Sequence, residues 1–297
     1  MGVCMPADLS YDLDGFLFGV GSDFHVNDLD MGEVEIRNND AAMPRQDGIR
    51  FGRDTRGGRT LTFVDVLVMT SNGTDVSAQD AFARFTSAWR ANLVRSTPGA
   101  VSILKLTRGG RTRRVYGRPR RFAPASERNR FGWFSADADF QCVDDLFYSD
   151  AELTTSIGMT VPSVGGLVGP LIGPIDAESA GSGVESLFVG GTEPAWVSVQ
   201  IHGPIIDPSV EVEGQWSFKL AGVTLASDEW VLVDPSPWNR TVQRSNGANM
   251  GGYFTQASQR LSDMRIAPGP TQIILRGTDP TNTAYAQSYV REAYASY

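Results

Sequence analysis

The feature that most constrains the fold is a strict alternation of apolar and polar residues over positions 134–142, within a predicted strand over 133–143. One face would carry Phe134, Ala136, Ala138, Phe140 and Cys142, and the other Ser135, Asp137, Asp139 and Gln141. Side chains of a β-strand point alternately to its two faces, so this run predicts a half-buried strand. Cys142 is then interpreted as a small core residue.

Turn-forming residues separate many such short apolar runs. The 32 Gly and 16 Pro make up about 16% of the 297 residues, against roughly 12% in average proteins. In residues 34–69, a short predicted strand is followed by a turn-rich stretch that contains Pro44, Gly48 and Gly52. A turn at Gly57-Gly58 and a long apolar strand come next. This stretch is interpreted as a scaffold built from strands and tight turns.

One helix interrupts the strands. Ser77 stands three residues before Asp80 in a capping arrangement. Large apolar residues then recur at helical spacing: Phe82, Phe85, Trp89 and Leu93. We expect this apolar stripe to pack on a sheet.

The sequence Thr-Arg-Gly-Gly-Arg-Thr occurs twice, at residues 55–60 and 107–112. Gly-Gly between strand-like runs indicates a β-hairpin turn. Both copies are therefore predicted to form the same hairpin turn, although one hexapeptide does not establish a domain duplication.

The second half of the chain is predicted to be a β-sandwich. Val197, Val199 and Ile201 alternate with polar residues, and Trp216 and Phe218 do the same. The composition of residues 284–297 fits either a helix or an edge strand. The predicted organisation is a first domain over 1–150, a Gly/Pro-rich linker or arm over 151–182 and a sandwich over 183–297.

Within that linker, residues 154–175 carry no charge and are long enough to span a bilayer. Three Pro and five Gly in this stretch would strongly disfavour a helix, so a linker or an exposed arm is expected. The N-terminus has no basic segment followed by an apolar run, and we therefore expect no signal peptide and synthesis in a cytoplasm.

Positive charge is concentrated in one segment of an acidic chain. Residues 105–130 hold ten Lys or Arg and one Glu, whereas the whole chain has a net charge of −8. The segment could be a solvated face, a nucleic-acid surface or a contact with acidic residues of another copy. The candidate interface residues are Arg113, Arg114, Arg118, Arg120 and Arg121.

The sequence offers little catalytic chemistry. It has two Cys, two His and no recognisable nucleophile, phosphate-binding or metal-binding motif. We therefore predict no catalytic residues, no metal, no cofactor and no enzyme activity. Exposed aromatic residues of the sandwich could stack on sugars, although core packing explains them equally well; the weak candidates are Trp196, Trp238 and Tyr253.

Taken together, motifs along nearly the whole chain resemble the distal tail proteins, or minor tail proteins, of long-tailed phages that infect actinobacteria. In the first half they are Met43-Pro44, Asp47-Gly48, Gly52-Arg53-Asp54, Gly58-Arg59-Thr60-Leu61 and the strand over 138–144. In the second half they are residues 190–196, Ile201-His202-Gly203-Pro204, Asp207-Pro208, residues 231–234, Arg240-Thr241-Val242 and residues 267–271. Asp145 departs from the pattern, because it stands where the family usually has Pro.

The resemblance implies a mainly β protein with an N-terminal belt domain containing one helix and a C-terminal galectin-like β-sandwich. It also implies that residues 284–294 end the sandwich as a strand. The belt domains would form a six-fold ring around a channel, at the tail tip of a virion, with DNA only in transit. Expected partners are further copies of the chain, the tail tube, tail hub or tip and tape measure proteins, and receptor-binding proteins or host-wall glycans. No membrane contact is expected.

Alternatives to a structural hub remain open from the residues alone. A carbohydrate-binding adhesion protein would act through the sandwich. A glycosidase or esterase lacks a recognisable nucleophile or base, and a tail-tube subunit would not need the second domain.

Overall fold

The fold is described from a computed structural model, which describes residues 9–69, 75–90, 92–125, 134–159, 180–279 and 281–297. The chain divides into two compact units. Unit 1 comprises Met1–Asp150 with Ala295–Tyr297, and unit 2 comprises Ala151–Tyr294. Each unit is described separately below.

The described elements of unit 1 are mostly strands. They are β1 Ser10–Leu13, β2 Phe16–Gly19, β3 Phe24–Asp30, β4 Ile36–Arg37, β5 Ala41–Ala42, β6 Ile49–Arg50, β7 Thr55–Arg56, β8 Thr60–Val68, α1 Asp75–Trp89, α2 Asn92–Ser96, β9 Ser102–Arg108, β10 Arg111–Pro124, β11 Phe134–Cys142 and β12 Phe147–Ser149. Seven strands pair antiparallel in the order β2-β1-β9-β10-β11-β8-β3, and β12 pairs with β10.

Unit 2 consists of strands and short 3-10 turns in its described part. The strands are β13 Leu153–Gly158, β14 Ala180–Val189, β15 Ala195–His202, β16 Ile205–Val212, β17 Trp216–Lys219, β18 Thr224–Leu225, β19 Trp230–Asp234, β20 Thr241–Arg244, β21 Arg265–Ile266, β22 Gly269–Thr278, β23 Tyr285–Val290 and β24 Ala293–Tyr294; the turns are Gly251–Tyr253 and Leu261–Asp263. One sheet has the order β13-β23-β15-β19-β20, and the other β14-β22-β16-β17. The prediction of a mainly β chain is confirmed.

Helix α1 covers the sheet of unit 1 with the apolar stripe that its sequence predicted. Phe85 and Trp89 are fully buried, and the Trp89 indole donates a hydrogen bond to the carbonyl of Asp139 in β11 at 3.2 Å. Each large side chain buried in this way contributes about 1.5–3 kcal/mol. The predicted cap at Ser77 is wrong, because the helix already includes Asp75. The side chain of Leu93 lies outside the described residues.

Strand β11 has the predicted buried face. Ala136, Ala138, Phe140 and Cys142 are buried among the aromatic and aliphatic residues of unit 1. The register on β8 shifts between Ala136 and Ala138, which buries Ser135 as well. The alternation therefore predicted the core face correctly but not the irregularity within it.

The repeated hexapeptide has two different structures. Gly109 and Gly110 both have positive φ, +58° and +71°, and they join β9 to β10 in the predicted hairpin turn. Gly57 and Gly58 do not form a hairpin turn. Instead, a Cβ on Gly58 would lie 2.1 Å from the Cys142 carbonyl oxygen, so glycine here permits close approach of two strands.

In unit 2, the alternating runs bury their apolar residues as predicted. Val197, Val199 and Ile201 are buried in β15, and Trp216 and Phe218 are buried in β17. The final segment also contains strands, β23 and β24, as the resemblance implied. Strand β23 lies between β13 and β15 in its sheet, and these pairings outweigh the helical tendency of its composition.

The stretch predicted to be a linker or arm has strands at both described ends. Leu153–Gly158 forms β13 and pairs with β23, and β14 begins at Ala180. Residues 160–179, which include most of the uncharged stretch, lie outside the described residues. Within the described parts of the chain, no helix is long and apolar enough to cross a membrane.

Candidate assembly interface

The most distinctive surface feature of unit 1 is an exposed two-stranded segment, residues 35–56. It is called the arm from here on, and it is distinct from the linker or arm predicted over residues 151–182. Every residue of the arm is exposed. Two short ladders hold it together: β4 pairs with β7, and β5 pairs with β6. Beyond them, the Met43 amide donates to the Gly48 carbonyl at 3.2 Å, and the Gly52 amide donates to Asp40 Oδ1 at 2.9 Å.

The base of the arm is tied firmly to unit 1. The Gly57 amide donates to the Glu35 carbonyl at 2.8 Å, and Arg56 forms an ion pair with Asp145 at 3.0 Å. The buried Arg59 donates to the Asp145 carbonyl at 2.5 Å, and its guanidinium lies 4.8 Å from the ring centre of Phe147. Asp145 therefore helps to anchor the arm.

The arm itself exposes apolar side chains. Ile36 is 65% exposed, Ile49 56% and Phe51 82%. A two-stranded hairpin is marginally stable in isolation, and large apolar side chains are stabilised when they leave water. An arm of this kind is suited to covering the surface of another subunit.

Sequence reasoning singled out this stretch as a scaffold but missed the exposure of Phe51 and Ile49. A signal was available in the spacing of the residues. Ile49 and Phe51 stand alone between charged or turn-forming neighbours, in contrast to the long apolar run of β8. Isolated apolar residues of this kind are too few to build a core face.

The structure places the five candidate interface arginines in β10, where they differ in accessibility. Arg113 is buried, and Arg114 forms an ion pair with Asp150. Arg118 donates to the carbonyls of Ala100 and Thr97 at 2.6 and 2.8 Å. These three residues therefore have structural roles within unit 1.

The other two arginines, Arg120 and Arg121, are exposed. Arg120 Nε donates to the Gln141 side chain at 3.1 Å, and the residue remains exposed. Of the five candidate arginines, these two are therefore the ones that a neighbour could reach. Arg120 and Arg121 remain the candidates for an intersubunit contact.

The three candidate sugar-stacking residues do not form a common face. Trp196 is 94% buried in β15, and the Arg265 guanidinium covers its ring at 4.0 Å. Trp238 is half-buried in the loop after β19, whereas Tyr253 is exposed in a 3-10 turn. Tyr253 alone offers an open aromatic surface among these three.

The surroundings of His202 and Cys142 shift the pKa values of these two side chains. Burial lowers the pKa of His202, whose ring stacks on Tyr285 with centres 4.4 Å apart. Burial and the nearby Asp144 carboxylate raise the pKa of Cys142 to about 12. Within the described residues, no group of three or more His, Cys, Asp or Glu side chains could hold a metal ion.

The fold of the chain is similar to that of solved phage tail proteins over nearly its whole length. One is the Dit (gp 19.1) protein of phage SPP1, described as a paradigm of the hub adsorption apparatus in phages infecting Gram-positive bacteria. The two share 13% identity with a TM-score of 0.60, covering 97% of this chain and 99% of that one.

Chains of the phage P2 baseplate in its activated conformation are also similar. A structure with Ca gives a TM-score of 0.54 at 11% identity, covering 95% of this chain and 97% of that one. A structure with Sr gives 0.53 at 12% identity, covering 96% and 98%. No family model and no curated protein sequence matches the chain. At these identities, the similarity establishes a shared fold.

Proposed function

We propose that this protein is a structural component of a phage tail tip, a distal tail or baseplate hub protein that assembles into a ring. The observation that carries the proposal is the agreement in fold over both units at once, 97% of this chain and 99% of the SPP1 Dit protein. Agreement over a single sandwich would be weaker support, because one fold can host many functions.

The arm supplies a physical means of assembly. It is anchored at its base, exposed along its length and carries apolar side chains. Six copies would form a ring of unit 1 domains around a channel for DNA in transit. Stable, obligate contacts of this kind bury about 2,000 Å² or more each.

In this proposal, unit 2 carries the peripheral contacts. A ring of hubs would join the tail tube to the tip and tape measure proteins, and unit 2 would hold receptor-binding proteins. The proposal requires no catalytic residue and no cofactor. Infection of actinobacteria rests on the sequence resemblance alone, and glycan binding would have to use Tyr253 rather than Trp196, whose ring Arg265 covers.

Native mass spectrometry and electron microscopy of the purified full-length chain test the proposal. We expect a particle of six times the chain mass of 32.2 kDa, with six-fold symmetry and a central hole. A protein that stays monomeric at all accessible concentrations would overturn it.

Charge reversal tests the contribution of β10 to this assembly. Arg120→Glu with Arg121→Glu should weaken the ring and leave the unfolding of unit 1 nearly unchanged, because both side chains are exposed. Arg114→Ala is the control for loss of assembly through unfolding, since it should destabilise the unit by removing one of the cations paired with Asp150. Unchanged assembly of the double variant would show that Arg120 and Arg121 do not contribute to the contact between copies.

A further inference from the structure

Strand β14 forms one edge of the sheet β14-β22-β16-β17 in unit 2. Among the described residues it pairs only with β22, in a regular antiparallel ladder without a shift in register. The opposite edge of this sheet is protected, because residues 253–259 run along β17. The amides of Ala221, Thr255 and Gln259 form the hydrogen bonds between them, at 2.9–3.1 Å.

The backbone of β14 directs part of its hydrogen-bonding groups away from β22. The Glu213 amide donates to the Gln272 carbonyl at 3.0 Å, so Gln272 directs its backbone groups toward β16. Facing residues of an antiparallel ladder either bond to each other or both point away. Ser186 faces Gln272, and its amide and carbonyl are therefore directed to the free edge, as are those of Val184 and Phe188.

This edge has few of the features that normally prevent strand pairing. Proteins protect long, regular edge strands with Pro, Lys or a bulge. Residues 184–189 contain no Pro, no Lys and no shift in register. Val184 and Phe188, on one face of the strand, are 51% and 69% exposed. The edge therefore has the properties of a surface to which an added strand binds.

A groove of about 400 Å³ lies beside this edge. Phe188 of β14 and Pro270 of β22 face each other in the ladder and give the groove an apolar part. Glu213 and Gln272 also line it and give it a polar part. The groove can take a side chain of a strand that is added to β14.

The exposed charges at this edge are acidic. Glu185 of β14 and Glu213 of the groove are both exposed, and neither forms an ion pair with another described residue. Arg276 of β22 is already paired with Glu211. Basic side chains of an added strand would pair with Glu185 and Glu213, whereas a second copy of β14 would bring a further Glu185 to the same edge. The charges therefore favour a basic segment of a different protein.

We propose that β14 binds an extended segment of a peripheral tail protein by strand addition, and that this segment alternates apolar and basic side chains. Its apolar side chains cover Val184 and Phe188, and its basic side chains lie near Glu185. Main-chain hydrogen bonds to residues 184–188 supply binding, and the acidic side chains select the partner. The inference rests on the proposed function for the source of the segment, a protein that unit 2 holds.

A dye-labelled synthetic peptide of alternating lysine and valine tests the edge in the full-length chain. We expect saturable binding in fluorescence anisotropy, and no binding of a matched peptide of alternating glutamate and valine. Methylation of the lysine–valine peptide at its backbone amides should abolish binding, because it removes main-chain hydrogen bonds and keeps the side chains.

Substitutions at the edge separate strand addition from general attraction of charges. Ser186→Pro removes an amide from the free edge and none from the ladder with β22, so unfolding should change little. The variant should raise the Kd of the lysine–valine peptide by about tenfold or more, since the ring also obstructs the edge. Ser186→Ala is the matched control, because it keeps the amide and should bind as the original chain does. Glu185→Lys should raise the Kd by about 2–5-fold.

Amide hydrogen exchange gives a second readout. The amides of Val184, Ser186 and Phe188 should exchange rapidly in the free chain and slowly when the lysine–valine peptide is bound. Slow exchange in the free chain would mean that the edge is already covered and would overturn the inference.

The outcomes also separate this inference from the proposed function. Peptide binding that Ser186→Pro weakens and Ser186→Ala does not would support the inference. Equal binding by the Ser186→Pro variant, or no binding at all, would overturn it. Self-association of the chain that Ser186→Pro abolishes would assign the edge to a second copy and overturn it as well. A chain that binds the peptide but never forms rings would overturn the hub proposal and leave strand addition to β14 intact.

Discussion

The two copies of Thr-Arg-Gly-Gly-Arg-Thr allow one substitution to be compared in two settings. A Cβ on Gly58 would lie 2.1 Å from the carbonyl oxygen of Cys142 and 3.0 Å from that of Val143. A Cβ on Gly110 would meet no described atom within 4 Å, but the residue has a φ of +71°. Gly58→Ala therefore introduces a steric clash with backbone, whereas Gly110→Ala introduces only an unfavourable backbone conformation.

The steric clash at Gly58 and the backbone conformation at Gly110 determine how much each alanine variant should lose in free energy of unfolding. Gly110→Ala should lower the free energy of unfolding by about 1–2 kcal/mol, the cost of the left-handed conformation. At Gly58, the Cys142 carbonyl must retreat by about 1 Å, which strains the 2.9 Å hydrogen bond from the Cys142 amide to the Arg59 carbonyl. Overpacking costs about 1–3 kcal/mol and a lost hydrogen bond about 1 kcal/mol, so Gly58→Ala should cost about 2–4 kcal/mol.

Urea unfolding at one fixed protein concentration, followed by circular dichroism, measures both effects. Amide hydrogen exchange in peptides from β8 and β11 should locate the loss for Gly58→Ala. Asparagine provides the matched control, since it enters the left-handed region more readily than alanine. Gly110→Asn should recover much of the lost stability and Gly58→Asn none. Equal costs for the two alanine variants would refute the role assigned to Gly58.

Three further predictions concern side chains that are buried or partly buried. Burial and the Asp144 carboxylate raise the pKa of Cys142 to about 12. In a Cys4→Ser variant, the Cys142 thiol should therefore not react with a thiol reagent at pH 8 until urea unfolds the protein. Rapid reaction of the folded protein would contradict this. Burial lowers the pKa of His202 from its ordinary value of 6.5, so the unfolded state binds the proton more readily than the folded state. The free energy of unfolding should therefore fall as the pH drops below about 6.5. A His202→Gln variant with the same pH profile would contradict this. Phe85→Ala should cost about 3–5 kcal/mol in urea unfolding, and the half-buried Phe82→Ala clearly less; equal losses would refute the assigned packing of α1.

Periodicity predicted the parts of the fold in which local sequence and burial agree. The faces of β11, β15 and β17 and the buried stripe of α1 follow directly from spacings of two and of three to four residues. A residue on such a face is buried wherever its element packs, so no knowledge of the partner strand is needed. The start of α1 was less predictable, because Ser77 can occupy either a cap or an early helical position.

The roles of Gly58 and of the arginines in β10 depend on partners distant in sequence. Gly58 is required because β11 passes over it, eighty-odd residues later in the chain. Arg114 forms an ion pair with Asp150, and Arg118 donates hydrogen bonds to the carbonyls of Thr97 and Ala100, which precede β9. Neither the hexapeptide nor the count of charges contains information about these contacts. The hexapeptide therefore predicts a turn at Gly58, and the charge count predicts an interface at the arginines.

The arm is a segment whose turns can be predicted from the sequence but whose exposure cannot. Its turn residues do what turn residues predict, since they hold two short ladders together. What distinguishes it from a core hairpin is that its large apolar side chains, Ile36, Ile49 and Phe51, are exposed, and only the folded unit reveals this. In the proposed ring, burial of Ile36, Ile49 and Phe51 against a second copy would stabilise these exposed side chains, which the folded unit leaves in water.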